Sequence, residues 1–153
     1  MPTTAPSTDR IEKQVTLDAP RSRVWRALTD VTQFSAWFGV ALSAPFAAGA
    51  EVSGQIRIRN EPITLTFWIE KVEPERFFSF RWHPYAIESG VDYSAEPTTL
   101  VSFTLADAGA GTRLTIIESG FDAIPEARRA KAFASNTGGW NSQAENLRKF
   151  LAS

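Results

Sequence analysis

Five runs between residues 51 and 119 alternate apolar with polar side chains, and most are separated by only a few residues. Ile56 and Ile58 alternate with Arg57 and Arg59; Leu65, Phe67 and Ile69 alternate with Thr64, Thr66 and Trp68. Phe78, Phe80 and Trp82 are interleaved with Phe77, Ser79 and Arg81, and Val101, Phe103 and Leu105 with Leu100, Ser102 and Thr104. Leu114 and Ile116 close the series, alternating with Thr115 and Ile117. A period of two belongs to strands with one buried face. Turn signals at Asn60-Glu-Pro62, Pro74-Glu75 and Ala108-Gly-Ala-Gly111 punctuate the runs. Links this short join antiparallel neighbours, because a parallel crossover takes about a dozen residues or more. The middle of the chain therefore reads as an antiparallel meander. Residues 83–97 form its one long connection, and long ordered loops are more often functional than short ones.

The flanks supply what the sheet packs against. Residues 10–18 put Ile11, Lys13, Val15 and Leu17 on one side of a strand. Pro20 opens a short helix carrying Val24, Trp25 and Leu28, Thr29-Asp30 interrupts it, and Phe34, Trp37 and Phe38 mark a second that stops at Gly39. Residues 40–50 read as a loop. Residues 125–151 form a long amphipathic helix, since Phe133, Trp140, Ala144, Leu147 and Leu151 recur along one stripe. The fold class expected is α+β: a curved antiparallel sheet with two short helices after its first strand, wrapped around one long C-terminal helix. A twisted sheet gripping a single helix leaves space between them unless large side chains fill it. Residues 1–9 are expected to be a flexible tail and residues 10–153 a single domain.

Composition removes many chemistries. The chain has no cysteine, which excludes disulfides, thiolate metal sites and cysteine nucleophiles, and its one histidine excludes a His-rich metal cluster. No cofactor or metal is expected. Sixteen basic and 17 acidic residues give a net charge of −1, which argues against a dedicated nucleic-acid binder. No apolar run approaches the ~18 residues of a membrane span, and residues 1–9 lack the basic and apolar regions of a signal peptide. No membrane partner is expected, and the cytoplasm is the expected location.

The long helix carries the informative anomaly. Asn136 and Thr137 lie three and four residues past Phe133, and Gln143 three past Trp140, which sets polar groups on or beside the buried stripe, next to Gly138-Gly139. A buried amide without a partner costs about 1–3 kcal/mol, so each must face a polar group, water or a ligand. Either these side chains wall a cavity, or Ser135–Gly139 breaks the helix in two. Glu118 is the second anomaly, because parity puts it on the face of Leu114 and Ile116. It is either a polar anchor or acid–base group on the inner face, or a solvated carboxylate at the sheet rim. His83, Tyr85 and Tyr93 sit in the long loop, as ligand contacts or as loop anchors. Arg57, Arg59 and Arg81 make either a basic patch or a solvated sheet face. The aromatics Trp37, Phe38, Phe67, Phe80, Trp82, Phe103 and Trp140 point inward, and large apolar pockets with a few polar groups are how small-molecule sites are built. Trp68 and Phe77 fall on the opposite face and, if exposed, suggest a homodimer contact. No phosphate-binding glycine loop or nucleophile elbow is present.

Several motifs, in this order along the chain, carry a resemblance: Val24-Trp-Arg-Ala-Leu-Thr-Asp30 with Ala36-Trp-Phe-Gly39; Ile69-Glu-Lys-Val-Glu-Pro-Glu-Arg-Phe77 with Trp82; Gly111-Thr-Arg-Leu-Thr115; Glu118-Ser-Gly-Phe121; and Gly138-Gly-Trp140. Over roughly residues 10–151 the chain resembles the START-like, helix-grip (SRPBCC) superfamily, in particular the group named after the C-terminal domain of the Hsp90 ATPase activator Aha1. The resemblance implies a cavity between sheet and helix, and a Gly-Gly-Trp helix that is continuous. Its members include lipid and polyketide binders, aromatase/cyclases and stress co-chaperone domains, and it supplies no catalytic residue. The expected function is enclosure of a hydrophobic or amphipathic small molecule, with Trp37, Phe38, Phe67, Phe80, Trp82, Phe103, Ile116, Glu118, Asn136, Trp140 and Gln143 as the ligand-binding set. The alternatives are a cyclase- or hydrolase-type enzyme using the same cavity, with Glu118 or His83 moving a proton, and a stress-related protein-interaction module.

Overall fold

The computed structural model describes residues 8–58, 60–85 and 91–152. Its strands are β1 (Arg10–Leu17), β2 (Ala41–Leu42), β3 (Glu51–Ile58), β4 (Glu61–Glu73), β5 (Phe77–Trp82), β6 (Thr99–Ala108) and β7 (Gly111–Ser119). The helices are α1 (Arg21–Thr29), α2 (Val31–Phe38) and α3 (Glu126–Ala152), the last preceded by a 3-10 turn at Phe121–Ala123. The seven strands form one antiparallel sheet in the order β1-β7-β6-β5-β4-β3-β2. The first strand thus closes on the last, and the meander between them runs in chain order, as its short turns require.

Register places the large side chains in rows. Phe78 pairs with Phe103 and Phe103 with Ile116, while Phe80 pairs with Val101 and Val101 with Glu118. All six are buried on the inner face. A bulge in β4 between Ile69 and Lys71 sets Glu70 and Lys71 both outward and returns Val72 to the row of Phe78, which explains why the period of two in β4 slips by one residue. The short helices cap one end of the trough. Asp30 ends α1 and starts α2, its Oδ1 accepting from the backbone N–H groups of Thr32 and Gln33, an N-cap worth about 1 kcal/mol. Gly39 ends α2 with φ of 87°, a left-handed turn that suits glycine.

Two of the alternatives left open by the sequence are resolved here. Helix α3 runs unbroken through Gly138-Gly139, and the half-buried Thr137 satisfies its hydroxyl within the helix by donating to the Phe133 carbonyl of the preceding turn. Trp68 and Phe77 are half-buried rather than exposed. The Trp68 indole N–H donates to Glu51 Oε1 at 2.7 Å, and its ring meets His83 edge-on, so the premise of a homodimer contact through these two residues is not met. Within the segment expected to be a tail, only Thr8 and Asp9 are among the described residues, and both are hydrogen-bonded. The Asp9 carbonyl accepts from the N–H groups of Gly120 and Phe121, and Thr8 donates to Asp122. Residues 1–7 lie outside the described residues.

Candidate ligand pocket

Glu118 organises the interior. It is fully buried on β7, not solvated at the rim, and four side chains from three elements donate to it. The Trp82 indole N–H at the end of β5 and the Thr99 hydroxyl at the start of β6 reach Oε2 at 2.7 and 2.5 Å. From α3, the Trp140 indole N–H reaches Oε1 at 2.8 Å, and the Asn136 amide bridges both oxygens at 2.9 and 3.1 Å. Register explains the convergence: Val101 lies directly opposite Glu118, so Thr99 is its diagonal neighbour, and Thr99 in turn pairs with Trp82. Two indoles and an amide N–H can only donate, a set that fits an acceptor-only carboxylate. Hydrogen bonds to a charged group contribute about 1.5–3 kcal/mol each, which offsets the several kcal/mol of taking an ion out of water. Glu118 forms no salt bridge with any described residue.

Beside this network lies a half-open pocket of about 370 Å³ between α3 and the β3–β4 hairpin. Ile56, Ile58 and Leu65 from the hairpin form one wall. Phe38, Trp82 and Trp140 form the floor, with the two indole rings stacked 5.8 Å apart and Phe38 about equally near both. His83 and Tyr85 of the long loop close one side, and Ser135, Asn136, Gly139 and Gln143 of α3 close the other. A Cβ built on Gly139 would meet nothing within 4 Å, so this glycine leaves room in the pocket rather than permitting close packing. The volume lies in the ~300–1,000 Å³ range of small-molecule sites.

The eleven residues expected from the sequence divide into three groups. Phe38, Trp82, Asn136, Trp140 and Gln143 line the pocket. Glu118 lies behind three of them and does not itself line it. Trp37, Phe67, Phe80, Phe103 and Ile116 are buried in the solid core; Trp37 is committed to joining the short helices, its indole N–H donating to the Ala27 carbonyl at 2.7 Å. Gln143 is spoken for on both ends of its amide, donating to the Phe38 carbonyl and accepting from Asn146. Asn136 spends its N–H₂ on Glu118, and its Oδ1 makes no hydrogen bond among the described residues.

The loop is held by a residue that no pattern in the sequence singles out. Arg128, in the first turns of α3, donates to Glu96 Oε1 at 2.6 and 3.0 Å and to the carbonyls of Pro84 and Tyr85, and its guanidinium lies over the Tyr93 ring at 4.9 Å. His83 Nε2 is 3.1 Å from the Glu96 carbonyl. Leu65 and Ser135 were also missed as pocket residues, the first for lack of any sign of where the sheet outruns the helix. Arg81 is paired with Glu70, and Arg57 binds the Asn60 carbonyl, which favours the solvated face over a basic patch; Arg59 lies outside the described residues. Among the described residues no helix is long and apolar enough to cross a membrane, and no group of three His, Asp or Glu side chains is placed to hold a metal ion.

A curved antiparallel sheet gripping one long helix defines a helix-grip protein of the SRPBCC type. The chain belongs to the family of Activator of Hsp90 ATPase homolog 1-like proteins, whose model matches residues 18–152. No curated protein matches it. Among solved structures, the Mesorhizobium loti protein MLL2253 is 22% identical with a TM-score of 0.74, over 94% of this chain and 96% of its own. DynU16, described as a protein of the dynemicin biosynthetic locus, is 26% identical with a TM-score of 0.73; the match covers 97% of this chain and 48% of DynU16, so this chain spans about half its length. The Aha1 dimer from Colwellia psychrerythraea is 16% identical with a TM-score of 0.69, over 93% and 95% of the two chains.

Proposed function

We propose that this protein binds a hydrophobic or amphipathic small molecule in the pocket between α3 and the β3–β4 hairpin. The observation that carries the reading is a mostly apolar pocket of about 370 Å³ whose floor of Trp82 and Trp140 is fixed from behind by Glu118. A floor held this rigidly needs no reordering when a ligand arrives, which lowers the cost of association. Covering about 200 Å² of ligand contributes about 5 kcal/mol gross, so after association costs apolar burial of that extent alone leaves millimolar or weaker binding. Aromatic polyketides are one ligand class to try, given the resemblance to a superfamily with polyketide binders and the biosynthetic-locus description of DynU16. The cytoplasmic location is part of this proposal.

The test is thermal unfolding of the intact chain against flavonoids, fatty acids and aromatic polyketides, in native protein and in Gly139→Leu. Stabilisation of the native protein that disappears in Gly139→Leu supports the pocket as the site. Stabilisation by no compound, or stabilisation indifferent to Gly139→Leu, overturns the reading. A proton-transfer role for Glu118 is disfavoured, because protein donors occupy both its oxygens and it does not line the pocket.

A further inference from the structure

The charge and hydrogen-bond inventory around the pocket narrows the ligand class, an inference that rests on the pocket being the binding site. No lysine, arginine, aspartate or glutamate is among the described residues lining it. Arg128, the basic side chain that holds the neighbouring loop, is committed to Glu96 and two carbonyls. An anionic head group would therefore meet no lysine or arginine; the one basic side chain among the described lining residues is His83, whose Nε2 lies 3.1 Å from the Glu96 carbonyl. Directly behind the floor lies Glu118, a carboxylate without a counter-ion among the described residues and fully removed from water, where charge is screened least.

The floor and the Asn136 amide point the same way, and the remaining polar side chains on the lining, His83, Tyr85, Ser135 and Gln143, carry no acidic group. The indole N–H donors of Trp82 and Trp140 are consumed by Glu118, so the floor offers ring surface and no donor. Asn136 spends its amide N–H₂ on the same carboxylate, which leaves its carbonyl oxygen, an acceptor, for the pocket. Aromatic faces attract cations and tolerate neutral groups. We infer that the pocket selects by charge: it takes aromatic or aliphatic molecules bearing a neutral hydroxyl or a protonated amine as hydrogen-bond donor to Asn136 Oδ1, and rejects the corresponding carboxylates. Glu118 thus sets ligand charge without touching the ligand, as a positioning residue for two rings and one amide and as the source of the field.

The test is calorimetric titration of the intact protein at neutral pH with one skeleton in four forms: naphthalene, naphthalenemethanol, naphthylmethylamine and naphthoate. The expected result is binding of the alcohol and the ammonium, with naphthoate weaker than the alcohol by about tenfold or more, the scale of one like-charge contact in a poorly screened site. Naphthoate binding as tightly as the alcohol overturns charge selection while leaving the pocket reading intact, and so does naphthalene binding with no gain from either donor group. Failure of all four overturns the selection rule, and the flavonoid and polyketide panel then decides the pocket reading separately. Glu118→Gln, where it folds, is expected to narrow the gap between alcohol and carboxylate; an unchanged gap assigns the discrimination elsewhere and overturns the role of Glu118. The four-ligand series on the native protein stands whether or not that variant folds.

Discussion

A carboxylate at the centre of an apolar trough is stable here because each of its oxygens receives at least two donors, and the donors are structural in their own right. Trp82 and Trp140 belong to the aromatic core, Thr99 starts a strand, and Asn136 faces the sheet from the long helix. Removing the acceptor strands them all. Glu118→Ala is expected to destabilise the protein by at least about 3 kcal/mol in urea unfolding, since each buried donor left unsatisfied costs about 1–3 kcal/mol. Trp82→Phe removes one donor and keeps most of the ring packing, so its cost is expected to be smaller, about 1–2 kcal/mol by the same measurement. Parity along β7 was enough to put Glu118 on the inner face. It was not enough to say whether the strand end was covered, because that depends on Asn136 and Trp140 arriving from 18 and 22 residues further on, in another element.

Among the elements, α3 combines two tasks that its sequence separates into faces. Ala132, Trp140, Ala144 and Leu147 are buried against the core, while Ser135 and Gly139 open toward the pocket mouth. The adjacent glycines are not equivalent, because Gly139 lines the pocket and Gly138 does not. Gly138→Ala is expected to raise stability by about 0.5–1 kcal/mol through helix propensity and to leave ligand-induced stabilisation unchanged. Gly139→Leu should fold at least as stably as the native protein, with nothing within 4 Å of its Cβ, and lose the ligand response in thermal scans. The helix also holds the loop. Arg128→Ala is expected to speed amide exchange at residues 83–85 and 91–98 and to cost about 1–2 kcal/mol, as several charge-assisted hydrogen bonds are lost together. Nothing in the periodicity of α3 marks Arg128, whose partners are fixed only when the loop is in place.

At the scale of the molecule, the pocket is a geometric remainder. Trp140 of α3 covers Trp82 and Phe103, Trp25 of α1 and Phe46 cover Phe78, and Phe34 and Phe38 of α2 cover Phe67, while the far ends of β3 and β4 leave Ile56, Ile58 and Leu65 half-buried. Alternation, turn spacing and the 3.6-residue stripe were sufficient to read the sheet, its antiparallel order and the covering helix from the sequence. The position of the remainder was not legible, which is why Phe67, Phe80, Phe103 and Ile116 read as wall residues and lie in the core: inward parity is common to both, and what separates them is where the side chains of α2, α3 and the 43–50 loop fill the trough. Ligand binding stabilises the whole fold by mass action. At free ligand about 100 times Kd the gain is about 2.7 kcal/mol, a rise in Tm of roughly 5–10 °C for a chain of this size, readable by scanning calorimetry. Two of the five tryptophans form the floor of the pocket, their rings stacked and their N–H groups held by one anion. The ultraviolet emission of those indoles is consequently an intrinsic gauge of occupancy, quenched or shifted in colour when a second chromophore settles on them, so that the molecule can be assayed for its ligand without a dye or a tag.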